Sequence, residues 1–160
     1  MTVVSNTSPV NYLVLIDLQD VLPALFGRVL IPNAVLQELR SPAAPPQVKN
    51  WLDAVPDWLE SQVVAEIPSV LRQLDAGERE AIALAQSAGA SLVLLDERKA
   101  RQVARERGLA VSGTLGVLDL AARRGLVNLS DALDRLDRTT FRASARLLRH
   151  IRQQHSAKKP

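Results

Sequence analysis

The sequence predicts an α/β fold in one domain: a mostly parallel sheet with helices packed on both faces. Three observations carry that expectation. Ser91-Leu92-Val93-Leu94-Leu95 is an unbroken apolar run, as a strand buried on both faces requires. The residues after it alternate strand-like and helix-like patterns with short connectors, which calls for parallel pairing and crossover helices. The chain has 160 residues, 47% of them hydrophobic and 23% charged, enough to bury a core without a disulfide or metal staple.

Each element has a local reason. Thr2–Ser5 is a β-branched run expected to form the first strand, and Asn6-Thr7-Ser8-Pro9 ends it. Ser8 suits a helix cap and Pro9 the first turn, where a missing N–H costs nothing. Helices are expected over Val10–Ile16 and Leu18–Phe26, and a second strand over Arg28–Ile31. Pro32 opens a helix through Arg40, with Val35, Leu36 and Leu39 as its apolar stripe. Three prolines in Ser41–Pro46 mark a loop. Val48–Ala54 reads as helix, and Glu60–Ile67 holds a strand around Val63-Val64-Ala65. Asp75 and Gly77 introduce an amphipathic helix to about Ala88. Glu97–Arg107 follows the apolar run as a charged helix, with Glu97 and Arg101 spaced as an i,i+4 pair. Gly108 ends it, Leu109–Val111 gives a short strand, and Gly113–Arg124 a helix closed by Gly125. Ser130 is expected to cap Asp131–Asp137. Phe141, Ala145, Leu148 and Ile151 supply the inner face of a terminal helix. The expected organisation is a domain over residues 1–137, with a basic helix and tail over 138–160 belonging to the same unit.

Composition narrows the chemistry. There is no cysteine, which excludes disulfides, thiolate zinc sites and cysteine nucleophiles. The two histidines, His150 and His155, both fall near the end, so histidine triads and histidine metal clusters are not expected. No segment approaches the roughly 18 apolar residues of a membrane span, and the opening lacks the basic region of a secretory signal. A cytoplasmic protein without membrane association is the expectation. Charge is uneven: residues 138–160 carry seven Lys/Arg and no acid, whereas residues 1–137 carry 13 bases against 17 acids. Arg142, Arg146 and Arg149 are candidates for contact with a nucleic-acid backbone, a solvated helix face being the alternative. Aromatic residues make up only 3%, which argues against a base-stacking platform.

Ligands of open parallel sheets bind beyond the carboxyl ends of the strands. Asn6 and Asp96 fall there. Glu38, in the last turn of its helix, and Glu78, in the first turn of its own, can reach the same rim. Asp96 and Asn6 also suit helix caps, and Glu78 and Glu80 suit the positive end of a helix dipole. Glu38 is less easily explained, because a carboxylate near a helix C-terminus is mildly unfavourable. Three acids and an amide on one rim suit a hard, oxygen-seeking cation such as magnesium.

Val3–Pro9, Ile31-Pro32 with Glu38-Leu39, Leu74–Ile82, Leu94–Arg98 and Gly113-Thr114-Leu115-Gly116 together resemble the PIN-domain family, over about residues 2–127. They look most like a prokaryotic branch related to the toxin ribonucleases of toxin–antitoxin pairs. The resemblance implies a three-layer α/β/α sandwich and a ribonuclease dependent on Mg2+ or Mn2+. Carried across position by position, the acidic cluster falls on Asn6, Glu38, Glu78 and Asp96. Glu80 and Glu97 are possible accessories, and Thr7 and Thr114 lie where hydroxyls near the metal are expected, Thr114 being equally suited to a helix cap. RNA as substrate, a cognate antitoxin and a homodimer are implied in the same way. Asn6 departs from the family's usual aspartate. Two readings therefore stay open: a working site with a weaker ligand, or a degenerate domain that binds nucleic acid or protein without cutting. A nucleotide-binding sheet protein of another kind is disfavoured, since neither G-x-x-x-x-G-K-[ST] nor G-x-G-x-x-G occurs.

Overall fold

The computed structural model describes residues 1–156; Lys158 and Lys159 of the expected basic tail lie outside the described residues. Five strands form one parallel sheet: β1 (Val3–Ser5), β2 (Val29–Pro32), β3 (Leu59–Gln62), β4 (Leu92–Leu94) and β5 (Val111–Ser112). Their order is β3-β2-β1-β4-β5. The chain builds outward from β1 on one side, then returns to β4 on the other. The gap between β1 and β4 is thus the topological switch point, where a crevice opens at the carboxyl edge.

Alternation along the strands divides the core into two. Val3, Val29, Ile31 and Leu94 face one side and join the larger core with α1 (Thr7–Leu15), α2 (Val21–Phe26), α4 (Pro46–Leu52), α7 (Thr114–Arg123) and α8 (Leu129–Asp137). Val4, Leu30, Val93 and Leu95 face the other, against α5 (Ala76–Ser87) and α6 (Arg98–Glu106). Between them α3 (Asn33–Arg40) packs against α5 and α4. This is the expected α/β/α sandwich.

The final helix, α9 (Ala145–Ser156), buries Ile151 in the larger core. Arg152 pairs with Asp134 at 3.1 Å, and His155 Nε2 meets Asp119 Oδ1 at 2.5 Å. Burial raises the proton affinity of Asp119, but hydrogen bonds from His155 and Arg123 outweigh it and hold the carboxyl below its ordinary range. Arg142, Arg146 and Arg149 are exposed, and none has an ion pair among the described residues.

Several local expectations are corrected. The first helix begins at Thr7, so Asn6 rather than Ser8 takes the cap position, and Pro9 sits within the first turn. Val63-Val64-Ala65 lies beyond the third strand: pairing with β2 uses Leu59–Gln62 instead, and Val63 is 82% exposed. The fifth strand is Val111–Ser112, shifted towards the rim by its register with Val93 and Leu94. Asn128, not Ser130, caps α8, its side chain accepting from the Asp131 N–H at 3.0 Å. Phe141 precedes α9 and packs edge-on against Tyr12, while Ala145 is exposed.

Candidate functional site

The rim forms where β1 and β4 end side by side. The Asn6 N–H donates to the Leu94 carbonyl at 3.0 Å, continuing the ladder one step past β1. Adjacent strands lie about 5 Å apart. By the register of β1 with β4, Asn6 leaves β1 beside Leu95, one residue before Asp96, at the switch point.

Asp96 does not cap the helix that follows it; Glu97 takes that position without a capping hydrogen bond. Instead Asp96 reaches across to α7. Its Oδ1 accepts from the Thr114 N–H and its Oδ2 from the Thr114 hydroxyl, both at 2.7 Å. Thr114 is wholly buried. Burial raises the proton affinity of Asp96, a rise that the two Thr114 bonds and the Arg101 charge oppose and the Glu97 charge increases. The net direction is upward. Gly113 lets the carboxylate approach so closely: a β-carbon there would lie 2.7 Å from Asp96 Oδ1, with Arg101 Nη1 at 3.6 Å. No ion pair joins Glu97 to Arg101 among the described residues, so the i,i+4 expectation for that pair is not realised.

Asn6 and Glu38 meet over Gly77. A β-carbon on Gly77 would lie 2.8 Å from Asn6 Oδ1 and 2.8 Å from Glu38 Oε1, which places these oxygens within twice that distance of each other. The Thr7 hydroxyl donates to Glu38 Oε2 at 2.5 Å. That bond accounts for an acid placed against the helix dipole. Asn6 Oδ1 is buried and has no hydrogen-bond partner. An orphaned acceptor of this kind costs about 1–3 kcal/mol unless something else satisfies it.

Glu78 is 7% exposed and faces Asp75 in a reciprocal capping box: the Glu78 N–H donates to Asp75 Oδ1 at 2.8 Å, and the Asp75 N–H to Glu78 Oε1 at 3.3 Å. Burial first, then the Asp75 charge, pushes the Glu78 carboxyl up to about 7, and Glu97 adds to the rise. Glu97 thus opposes ionisation of both Asp96 and Glu78. Glu80 turns elsewhere, accepting from the Ala34 N–H at the start of α3 at 3.3 Å.

The structure brings Asn6 to Glu38 and Thr7, and Asp96 to Thr114 and Arg101. It does not gather three acidic or histidine side chains into a metal-binding group among the described residues. The donors present nevertheless fit a hard divalent cation in kind, because all are oxygens and the orphaned Asn6 Oδ1 faces the Glu38 carboxylate. Sequence reasoning read Asp75, Gly77 and Gly113 only as helix starts and Arg101 only as a partner for Glu97, and missed their part in the site. A glycine in the first turn of a helix, where alanine is favoured, was the available signal for Gly77.

A family model described as DUF3368, PIN domain, matches residues 2–157. Among solved structures, the chain is similar to a PilT N-terminus domain protein, SSO1118, from the hyperthermophilic archaeon Sulfolobus solfataricus P2. The TM-score is 0.52 and the identity 15%, covering 90% of this chain and 100% of that one, so the likeness is one of fold. No curated protein matches the chain. No described helix is long and apolar enough to cross a membrane.

Proposed function

We propose that this chain, which belongs to the PIN-domain family, is an endoribonuclease that hydrolyses RNA phosphodiesters with a bound Mg2+ or Mn2+. The observation that carries the proposal is the buried, unpartnered Asn6 Oδ1 set against Glu38 Oε1 at the switch-point crevice. Asn6, Glu38 and Asp96 would hold the cation, with Glu78 beside them. When bound, such an ion supplies Lewis acidity at phosphorus and a more acidic water.

The chain's own groups do the rest. Thr114 fixes both oxygens of Asp96, and Thr7 fixes one oxygen of Glu38, so neither carboxylate must reorganise. Arg101 stands at the rim to neutralise a non-bridging phosphate oxygen. Burial pushes the Glu78 carboxyl up to about 7 in the metal-free chain, and the charge of a bound cation would draw it back towards the ionised form. Hydrolysis joins the water oxygen to phosphorus and breaks one bridging P–O bond, and the departing oxygen takes up a proton. Arg142, Arg146 and Arg149 are exposed basic side chains suited to the RNA backbone. A toxin role with a cognate antitoxin, and pairing with a second copy of the chain, extend the same reading. Co-expression pull-down and light scattering test those two partners.

A second reading has its own support. Asn6 removes one charge from the rim and no three acids gather among the described residues, as in a module that binds nucleic acid or protein without cutting. One assay separates the two. Purified protein is incubated with RNA and Mn2+ or Mg2+, alongside EDTA and an Asp96→Asn control. Cleavage abolished by both EDTA and the substitution supports the nuclease. Absence of cleavage with retained RNA binding supports the module, and cleavage surviving both controls defeats the metal mechanism.

A further inference from the structure

Beside the rim lies a cleft of about 310 Å³ that shares Thr7 and Glu38 with it. We propose that this cleft binds a single unpaired nucleobase of the RNA strand whose phosphate lies at the rim, an inference that rests on the nuclease reading of that rim. The chemistry of the walls fits a base. Ala44 and Pro45 give apolar surface for one ring face, Leu39 itself being buried in the core, and Asn11 and Ser41 give polar groups for its edge. The Asn11 amide makes no side-chain hydrogen bond among the described residues, so its donor and acceptor are both available. Ser41 Oγ accepts from the Ala43 N–H at 3.1 Å, which leaves the hydroxyl proton free to donate.

The cleft is also built in advance. The Ala44 N–H donates to the Ser41 carbonyl at 2.9 Å, Lys49 Nζ reaches the Pro42 carbonyl at 3.3 Å, and Pro42, Pro45 and Pro46 restrict the turn. A wall already ordered loses little entropy on binding. The sole wall shared with the rim is the Thr7–Glu38 hydrogen bond, so phosphate and base of one nucleotide can lie on its two sides.

The test reads binding without cleavage. Fluorescence anisotropy in EDTA compares the full chain's affinity for eight-nucleotide oligo(A), oligo(U) and a ribose-phosphate strand of equal length without bases. Base-bearing strands are expected to bind at least about fivefold tighter, the lower end of what stacking one base contributes. Asn11→Ala and Ala44→Leu should each lose most of that preference while melting as the wild type does. Equal affinity with and without bases, full preference in both variants, or no RNA binding at all would each overturn the proposal. A parallel cleavage assay with Mn2+ keeps the two readings apart. Base preference without cleavage leaves the cleft standing and removes the nuclease. Cleavage without base preference does the reverse.

Discussion

Thr114 holds Asp96 by both carboxylate oxygens, each at 2.7 Å, one through its backbone N–H and one through its hydroxyl. The pair joins the end of β4 to the start of α7 across 18 residues. Thr114→Val keeps the shape and the N–H but strands Asp96 Oδ2. We expect a loss of about 1–3 kcal/mol by urea unfolding, with the Asp96 carboxyl titrating still higher. Thr114→Ser, which retains the hydroxyl, should recover most of the stability. Equal stability of the valine variant would show that water replaces the bond at no cost.

Gly77 makes a stability argument and an activity argument point in opposite directions. Alanine in a helix is ordinarily favoured over glycine by about 0.5–1 kcal/mol. Here the added methyl would sit 2.8 Å from both Asn6 Oδ1 and Glu38 Oε1, and one of them must move. Gly77→Ala should therefore show no gain in melting temperature. Metal-dependent cleavage should fall about a hundredfold, as expected when reacting groups are displaced by roughly an ångström.

The layers of this fold were legible because burial on both faces leaves continuous apolar runs such as Leu92–Leu95, and because glycines end helices at Gly108 and Gly125 with φ of 81° and 73°. Val63-Val64-Ala65 misled because β-branched residues satisfy a strand pattern whether or not a neighbouring strand is there to pair with them. At the candidate site, the strand ends and the family resemblance pointed to Asn6, Glu38, Glu78 and Asp96 but not to their partners. The Thr7–Glu38 bond spans 31 residues, and no local pattern encodes such a contact. Asp96 looked like a cap because short acids before helices usually are. It does cap a helix, but α7 rather than α6.

Glu78 gives the fold a pH dependence with a definite sign. Its carboxyl is pushed from 4.5 up to about 7, so between those values the native state binds more protons than the unfolded chain. The stability it contributes is complete below pH 4.5 and is lost as pH rises through about 7. Glu78→Gln stays neutral and preserves the capping box with Asp75. Thermal melts should show the variant more stable than wild type at pH 8, by about 1–3 kcal/mol, and no better at pH 4. A difference that does not change with pH would remove the assigned cause.

Arg101 separates phosphate recognition from simple neutralisation of Asp96. Replacing it with methionine removes the charge that favours the ionised carboxylate, so the Asp96 carboxyl should titrate higher. If the guanidinium also binds the RNA backbone, KM rises and the slope of log affinity against log salt becomes shallower by about one. Arg101→Lys should restore the salt slope. An unchanged KM and slope in the methionine variant would confine Arg101 to the role of counter-charge.

Asn6 marks where the rim's charge can be raised by one with a single nitrogen-to-oxygen exchange. In Asn6→Asp the new carboxylate would face Glu38 Oε1 across Gly77 with no hydrogen-bond donor of its own. Without metal, two like charges at that spacing should lower stability by about 1–3 kcal/mol. A divalent cation relieves the repulsion and gains a charged ligand in place of a neutral one. Calorimetry with Mn2+ should therefore show at least about tenfold tighter uptake by the variant, and melting curves should cross, the variant being less stable in EDTA and more stable in excess Mn2+. Heat of binding absent from both forms would mean that the oxygens at the switch point do not act as ligands. The orphaned Asn6 amide oxygen would then be left for a hydrogen-bond donor on a bound nucleic acid or protein.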